Sequence, residues 1–478
     1  MISFIIAIAL LVIGYLIYGR VVERVFSPDD RPTPVKLNAD GVESVALPTW
    51  KVFIVQFMNI AGTGPIFGAI MGALFGTSSY LWIVFGCIFG GAVHDYLSGM
   101  LSIRNNGANL PDIIGKYLGK STRIIMLAFM VILLILVGAV FVYSPAIILK
   151  DWVIDSKIWI WISIIFLYFL LATILPIDKI IGRIYPYFAA ALIFMVIALF
   201  IALCAKSPDL PEVWEGLANK HPKSPIFPCL FISIACGAIS GFHATQSPLM
   251  ARCISSERKG RPVFYGAMIT EGIIALLWAA IASYFFYAKG TPGYKLIPGG
   301  EAALMKAPRI VFLICQDWLP KVACVIAILG VIAAPVTTGA TALRSARLII
   351  ADFLKIDQKP VFKRLIICIP LFAIVLCSVI WQLADEDGFL KIWSWFGWAN
   401  QALSVFTLLA ITVYLSQEKK CFWISFIPAL FMTGVCTSFL AYKFFPTGND
   451  MNTVYIIGMS AILLECVLFF LWKKRLQK

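Results

Sequence analysis

Five ionisable side chains sit inside otherwise apolar runs: His94, Asp95, His243, Glu271 and Glu465. Each is expensive at membrane depth and is therefore a functional candidate. His243 lies in the stretch Ser240-Gly241-Phe242-His243-Ala244-Thr245-Gln246-Ser247-Pro248. An imidazole donates, accepts and changes charge near neutral pH, which suits substrate binding or proton transfer. The plainer role is to bond a freed carbonyl and hold a helix break open. His94 and Asp95 are neighbours, ~100° apart on a helix, and need not touch. Asp95, ~9 Å from the inner end of its run, suits a proton site or inner gate, or a capping pair. Glu271, eight residues into its run, is a proton carrier or the partner of a loop cation. Glu465, in the last run, reads as structural. Thr337 and Thr338 offer adjacent hydroxyls to Na⁺, although threonines in membrane helices also bond their own backbone. Asn59 precedes Ala61-Gly62-Thr63-Gly64-Pro65, where glycine and proline free backbone groups. The expected substrate-binding set is Asn59, Gly62, Thr63, Gly64, Ser240, His243, Thr245 and Gln246. The expected ion-coupling set is Asp95, His94, Glu271, Thr337 and Thr338, with H⁺ or Na⁺ as the ion.

The elements that carry these residues follow from hydropathy. The 478 residues are 61% apolar and 13% charged, with mean hydropathy +0.91. A water-soluble domain is ~45–50% apolar and ~25% charged, so lipid must solvate much of this chain. Runs of ~20 apolar residues indicate spanning helices, where barrel strands would alternate over ~10. Thirteen spans are expected, at roughly 2–18, 52–75, 79–101, 122–148, 157–176, 183–205, 226–250, 263–288, 320–343, 364–382, 392–414, 422–441 and 452–472. The first carries no basic leader or cleavage site and reads as a retained helix. One alternating set of loops (19–51, 102–123, 176–183, 251–262, 343–364, 415–421, 473–478) holds 27 of the 39 Lys and Arg. That set is expected in the cytoplasm, with the N-terminus outside, the C-terminus inside, and Arg344 and Arg347 on the cytoplasmic side.

The runs 52–75 and 226–250 are interrupted in mid-span. They lie five spans apart, and five is odd, so the second runs opposite to the first. Broken helices at matching places in two inverted halves mark a transporter's binding site. The expected architecture is all-α and polytopic. An N-terminal helix and loop (1–51) precede a 5+5 inverted core (52–205 and 226–414, linked by 206–225). Two accessory helices and a basic tail follow (415–478). The first core helix runs from inside to outside, as in the LeuT-type fold. Half-helix N-termini favour an anionic group, so a carboxylate substrate fits. A channel or membrane sensor is the rival, but a pore would want a continuous polar stripe.

Several classes are excluded. No Walker A loop, G-x-S-x-G elbow or H-E-x-x-H is present, so no enzyme is expected, nor any cofactor. The net charge of +14 lies between apolar runs and suits a lipid bilayer, not nucleic acid. The twelve cysteines, Cys236 among them, form no C-x-x-C pair. They read as small apolar filler, with no metal.

Four motifs resemble the carbon starvation protein family, CstA, of the APC superfamily. They are Asn59-Ile60-Ala61-Gly62-Thr63-Gly64-Pro65-Ile66-Phe67-Gly68, Gly91-Ala92-Val93-His94-Asp95-Tyr96-Leu97-Ser98-Gly99-Met100, Arg104-Asn105-Asn106-Gly107-Ala108-Asn109-Leu110-Pro111 and Ala235-Cys236-Gly237-Ala238-Ile239-Ser240-Gly241-Phe242-His243. The resemblance runs from about residue 1 to beyond 410. It implies a LeuT-like scaffold in the inner membrane, importing peptides or pyruvate during carbon limitation with proton coupling. The alternative is a Na⁺-coupled peptide or amino-acid transporter. Longer family members carry a His-His pair before the first break, where this chain has Val55 and Gln56, and have further C-terminal helices.

Overall fold

Backbone groups at membrane depth must bond within the chain, and the helix does this segment by segment. The computed structural model describes residues 1–37, 39, 41, 43–153, 156–175, 181–296, 306–385, 388–445 and 451–476, and every regular element among them is helical. The loops 176–183, 289–321, 383–391 and 442–451 and the tail fall partly outside these residues. Among the described residues, ten helices are long and apolar enough to cross a membrane, eleven if one bent pair counts as a single span. The bent pair is Thr49–Ile60 with Gly64–Ala73, at 53°. Of the other expected spans, 157–176 falls on the 17-residue helix Ile158–Ile174, and 226–250 on two short helices, Ile226–Ser233 and His243–Ala251.

Two long helices outrun their apolar stretches. Lys120–Trp152 extends past the expected 122–148, and Lys321–Leu354 extends eleven residues past the expected end at 343. Lys, Arg, Leu and Ala are good helix formers, so backbone propensity carries these helices beyond the apolar run. Ala92–Arg104 also runs further than expected. Asp95 is nine residues from that end, ~14 Å at 1.5 Å per residue, deeper than the ~9 Å expected.

The loops segregate as their charge pattern requires. The basic-rich set gathers at one end. There Arg104 meets Glu257, Arg252 meets the Gly107 carbonyl, Arg261 meets Glu23 and Lys420 meets the Phe26 carbonyl. At the other end the Met1 ammonium reaches Glu212 at 2.5 Å, and Thr77 bonds the Gly216 carbonyl.

The two breaks touch. A Cβ added to Gly64 would lie 2.2 Å from the Cys236 Cβ, and one added to Gly72 would lie 2.2 Å from the Ile234 side chain. A π-helical turn, Gly86–Gly91, brings the third span against the same place, where a Cβ at Gly91 would meet the Ala238 carbonyl at 2.2 Å. Such turns concentrate at functional sites.

The Gly64→Ala variant is expected to lower the thermal unfolding midpoint in detergent, because overpacking a closed contact costs ~1–3 kcal/mol. Gly64→Ala with Cys236→Gly removes the clashing atom and should recover much of the loss, read by the same thermal assay.

Candidate functional site

A chain of four buried ionisable side chains crosses the second break. His94 Nδ1 and Asp95 Oδ1 are 2.8 Å apart, Asp95 Oδ2 and His243 Nδ1 are 2.8 Å apart, and His243 Nε2 is 3.5 Å from Glu271 Oε2. All four side chains are fully buried. Three elements bring them together: Ala92–Arg104, the half-helix His243–Ala251, and Gly266–Tyr287. His243 opens its half-helix, so the break itself aims the ring at both carboxylates. Glu271 keeps both oxygens, and His243 its Nε2, without a hydrogen-bond partner among the described residues.

Side chains from neighbouring helices satisfy several of the backbone groups freed at the breaks. Asn400 accepts from the Phe242 N–H at 2.7 Å and from the Ser240 hydroxyl at 3.0 Å, while its own carbonyl takes the Gly241 N–H. Gln401 donates to the Phe231 carbonyl at 2.8 Å, and the Trp82 indole to the Ile234 carbonyl at 2.9 Å. At the first break, the Met58 carbonyl accepts from Thr337 at 3.1 Å and from Thr338 at 2.9 Å. Buried polar groups left unmade cost ~1–3 kcal/mol each, which explains these partners.

The expected site residues therefore divide. His94, Asp95, His243 and Glu271 come together in one chain. His94 and Asp95, which as helix neighbours need not touch, do so here through one bond. Ser240 holds Asn400, Thr245 bonds the Phe242 carbonyl at 2.6 Å, and the Gln246 amide donates to Thr245 at 2.7 Å, so these three brace the break. Thr337 and Thr338 use their hydroxyls on Met58. Gly62 and Gly64 provide close approach, to Phe141 and Cys236. Asn59 and Thr63 are fully buried with side-chain polar atoms that find no partner among the described residues, as is Gln56, which was not among the candidates. These are the first break's free donors and acceptors. A cavity of only about 10 Å³ lies where the breaks meet, lined by Gly64, Ser233, Cys236 and Trp393 among others. That is about the least room a single water needs. Glu465 is bonded by Thr433 of the adjacent helix, in keeping with a structural role.

Arg344 and Arg347, expected at the cytoplasmic side, lie inside the protein. Both are fully buried, and both reach Glu43, at 3.0 and 2.5 Å. Arg344 also bonds the Ala172 and Leu175 carbonyls. The helix Lys321–Leu354 stays inside the protein past its apolar run, and the loop carboxylate compensates its charge. Burial opposes ionisation of the Glu43 carboxyl, but the two guanidinium groups outweigh it and hold the group below the usual carboxylate range. Sequence reasoning also missed Asn400 and Gln401. Their signal was a pair of carboxamides in the middle of the apolar run 392–414.

The overall fold is shared with solved membrane transporters. It matches a crystal structure of a manganese transporter from Eremococcus coleocola with a TM-score of 0.56, over 91% of this chain and 98% of that one, at 12% identity. With relatives named transporters, the protein is a membrane transporter by class. The family model for carbon starvation protein CstA matches residues 1–151, 142–292 and 299–439, and the chain belongs to that family. An uncharacterised membrane protein of Haemophilus influenzae is 43% identical over 339 residues, 60% of this chain and 91% of its own. The peptide transporter CstA of Bacillus subtilis is 27% identical over 87% of this chain and 85% of its own. The pyruvate/proton symporter BtsT of Escherichia coli is 25% identical over 60% of this chain and 50% of its own.

A depressed carboxyl pKa contributes stability above its unfolded value and loses it as pH falls through the folded value. The Glu43 pairs are thus intact at neutral pH. Glu43→Gln is expected to raise amide hydrogen exchange several-fold in segments 43–48 and 343–348 at neutral pH, leaving the helix around Asn400 unchanged.

Proposed function

We propose that the protein is a proton-coupled importer of a small carboxylate nutrient, pyruvate or a short peptide, working by alternating access during carbon limitation. The observation that carries this reading is the buried run His94–Asp95–His243–Glu271 across the second break. Ionisable groups joined in series at membrane depth are the equipment of a proton relay. His243 can pass a proton between Asp95 on Nδ1 and Glu271 on Nε2, its two nitrogens facing the two carboxylates. Asn59, Thr63 and Gln56 supply unused polar atoms on the opposite break, suited to hydrogen-bond a substrate carboxylate.

The relatives support both the transport class and the substrate chemistry, one being named a pyruvate/proton symporter and another a peptide transporter. In this reading the chain has thirteen spans in a LeuT-like 5+5 inverted core of the APC type. It sits in the inner membrane with the N-terminus outside and the basic-rich loops in the cytoplasm. The Glu43–Arg344–Arg347 cluster then closes the cytoplasmic side. Na⁺ coupling is the rival. The relative named a pyruvate/proton symporter favours H⁺ over it.

Reconstituted protein is expected to accumulate labelled pyruvate or a di- or tripeptide under an inward pH gradient without Na⁺. His243→Ala should cut accumulation ~tenfold or more, the factor that ~1.4 kcal/mol represents, with folded yield preserved. Asp95→Asn and Glu271→Gln should uncouple uptake from the pH gradient. If both retain pH-driven accumulation, the relay is wrong, and if uptake follows Na⁺ alone, the threonine pair is the coupling site.

A further inference from the structure

We infer that the second break carries a transition-metal site, in which Cys236, His243 and Glu271 together bind one borderline-soft divalent cation of the Zn²⁺ class. The Cys236 sulfur, a His243 ring nitrogen and a Glu271 carboxylate oxygen lie within 4.8 Å of one another, and all three residues are buried. Tetrahedral zinc with bonds of ~2.0–2.3 Å sets its ligands ~3.3–3.6 Å apart. His243 Nε2 and Glu271 Oε2 already stand at 3.5 Å, the spacing that tetrahedral zinc sets between two ligands.

Independent observations point to a ligand at this place. His243 Nε2 and both Glu271 oxygens are buried without hydrogen-bond partners among the described residues. Polar atoms in that condition are rare and costly. A cation among them would satisfy His243 Nε2 and a Glu271 oxygen at once. The second shell is also in place. Asp95 bonds His243 Nδ1 at 2.8 Å, the carboxylate–histidine arrangement that fixes a metal-binding ring with Nε2 turned to the metal. The Asn400 amide lies 3.5 Å from the Cys236 sulfur and can donate to a thiolate.

Charge and donor type set the class. A dication with one thiolate, one carboxylate and a neutral imidazole is a neutral unit, which lowers the cost of burial in a medium without water. The sulfur–nitrogen–oxygen set suits Zn²⁺ and disfavours Mg²⁺ and Ca²⁺, which take oxygen. Three protein ligands leave a fourth position for water or an exogenous donor. The ion would tie the stretch between the half-helices to Gly266–Tyr287. A cation on His243 Nε2 and Glu271 would occupy the last step of the proton relay, so the metal-bound form is one in which that step is blocked. The test below measures binding and not transport, so the two readings can fail separately.

The experiment uses full-length protein in detergent, stripped with chelator and titrated with Zn²⁺ by calorimetry and with Co²⁺ by absorption. One equivalent of each is expected, with a thiolate-to-cobalt charge-transfer band in the near ultraviolet. Cys236→Ser should abolish the band, and Glu271→Gln should weaken Zn²⁺ binding ~tenfold or more. Cys253→Ser, at a buried cysteine elsewhere, should change neither. Gel filtration checks the fold of each variant. If Cys236→Ser fails to fold, the wild-type cobalt spectrum and Glu271→Gln decide. The proposal is overturned if the wild type binds well under one equivalent, if the cobalt complex lacks the thiolate band, or if the folded variants bind as the wild type does.

Discussion

A helix broken in hydrocarbon has no water to satisfy what it frees, and that constraint organises this protein. Each interruption leaves carbonyls and amides whose solvation must come from other side chains. Asn400 and Gln401 supply it for the second break from one helix, and Thr337 and Thr338 for the first from another. The breaks then approach until glycine is the only residue that fits at Gly64. The braces make each break a defined shape in place of a frayed helix, and a defined shape is what a buried charge chain needs to keep its geometry.

That chain is the second expensive feature. Four ionisable groups in series, away from solvent, tolerate only arrangements in which each carries a partner. Asp95 has two, His94 and His243, and so forms the centre of the series. Among the described residues Glu271 has one distant partner and two oxygens without a hydrogen bond, which makes it the open end. This asymmetry separates the well-tied Asp95 from the sparsely held Glu271.

Much of the membrane fold was legible because hydropathy acts on whole segments. The breaks were legible because Gly62, Gly64, Pro65, Gly241 and Pro248 are marks of local backbone trouble. His243, Asp95 and Glu271 stood out as ionisable residues in apolar surroundings. What escaped was pairing across the sequence. The burial of Arg344 escaped because its partner, Glu43, is 301 residues away. The neighbours of Cys236 escaped because His243 and Glu271 come from a half-helix and a separate helix. Asn400 and Gln401 act on backbone groups about 160 to 170 residues distant. One-dimensional spacing holds no record of such meetings, and the lengths of Lys321–Leu354 and Ala92–Arg104 were underestimated because helix propensity outlasts hydrophobicity.

Pro335 lies inside the helix Lys321–Leu354, two residues before the pins on Met58 and twelve before Arg347. Proline removes a rung of the hydrogen-bond ladder and makes a natural pivot. At 1.5 Å per residue, Thr337 stands ~3 Å from that pivot and Arg347 ~18 Å from it. A swing of ~5° would shift Thr337 by ~0.3 Å, which keeps its 3.1 Å bond, and carry Arg347 ~1.6 Å, out of hydrogen-bond reach of Glu43. The helix is thereby a lever with a very short arm at the first break and a long one at Glu43, so the distant contact can part while the first break keeps its brace.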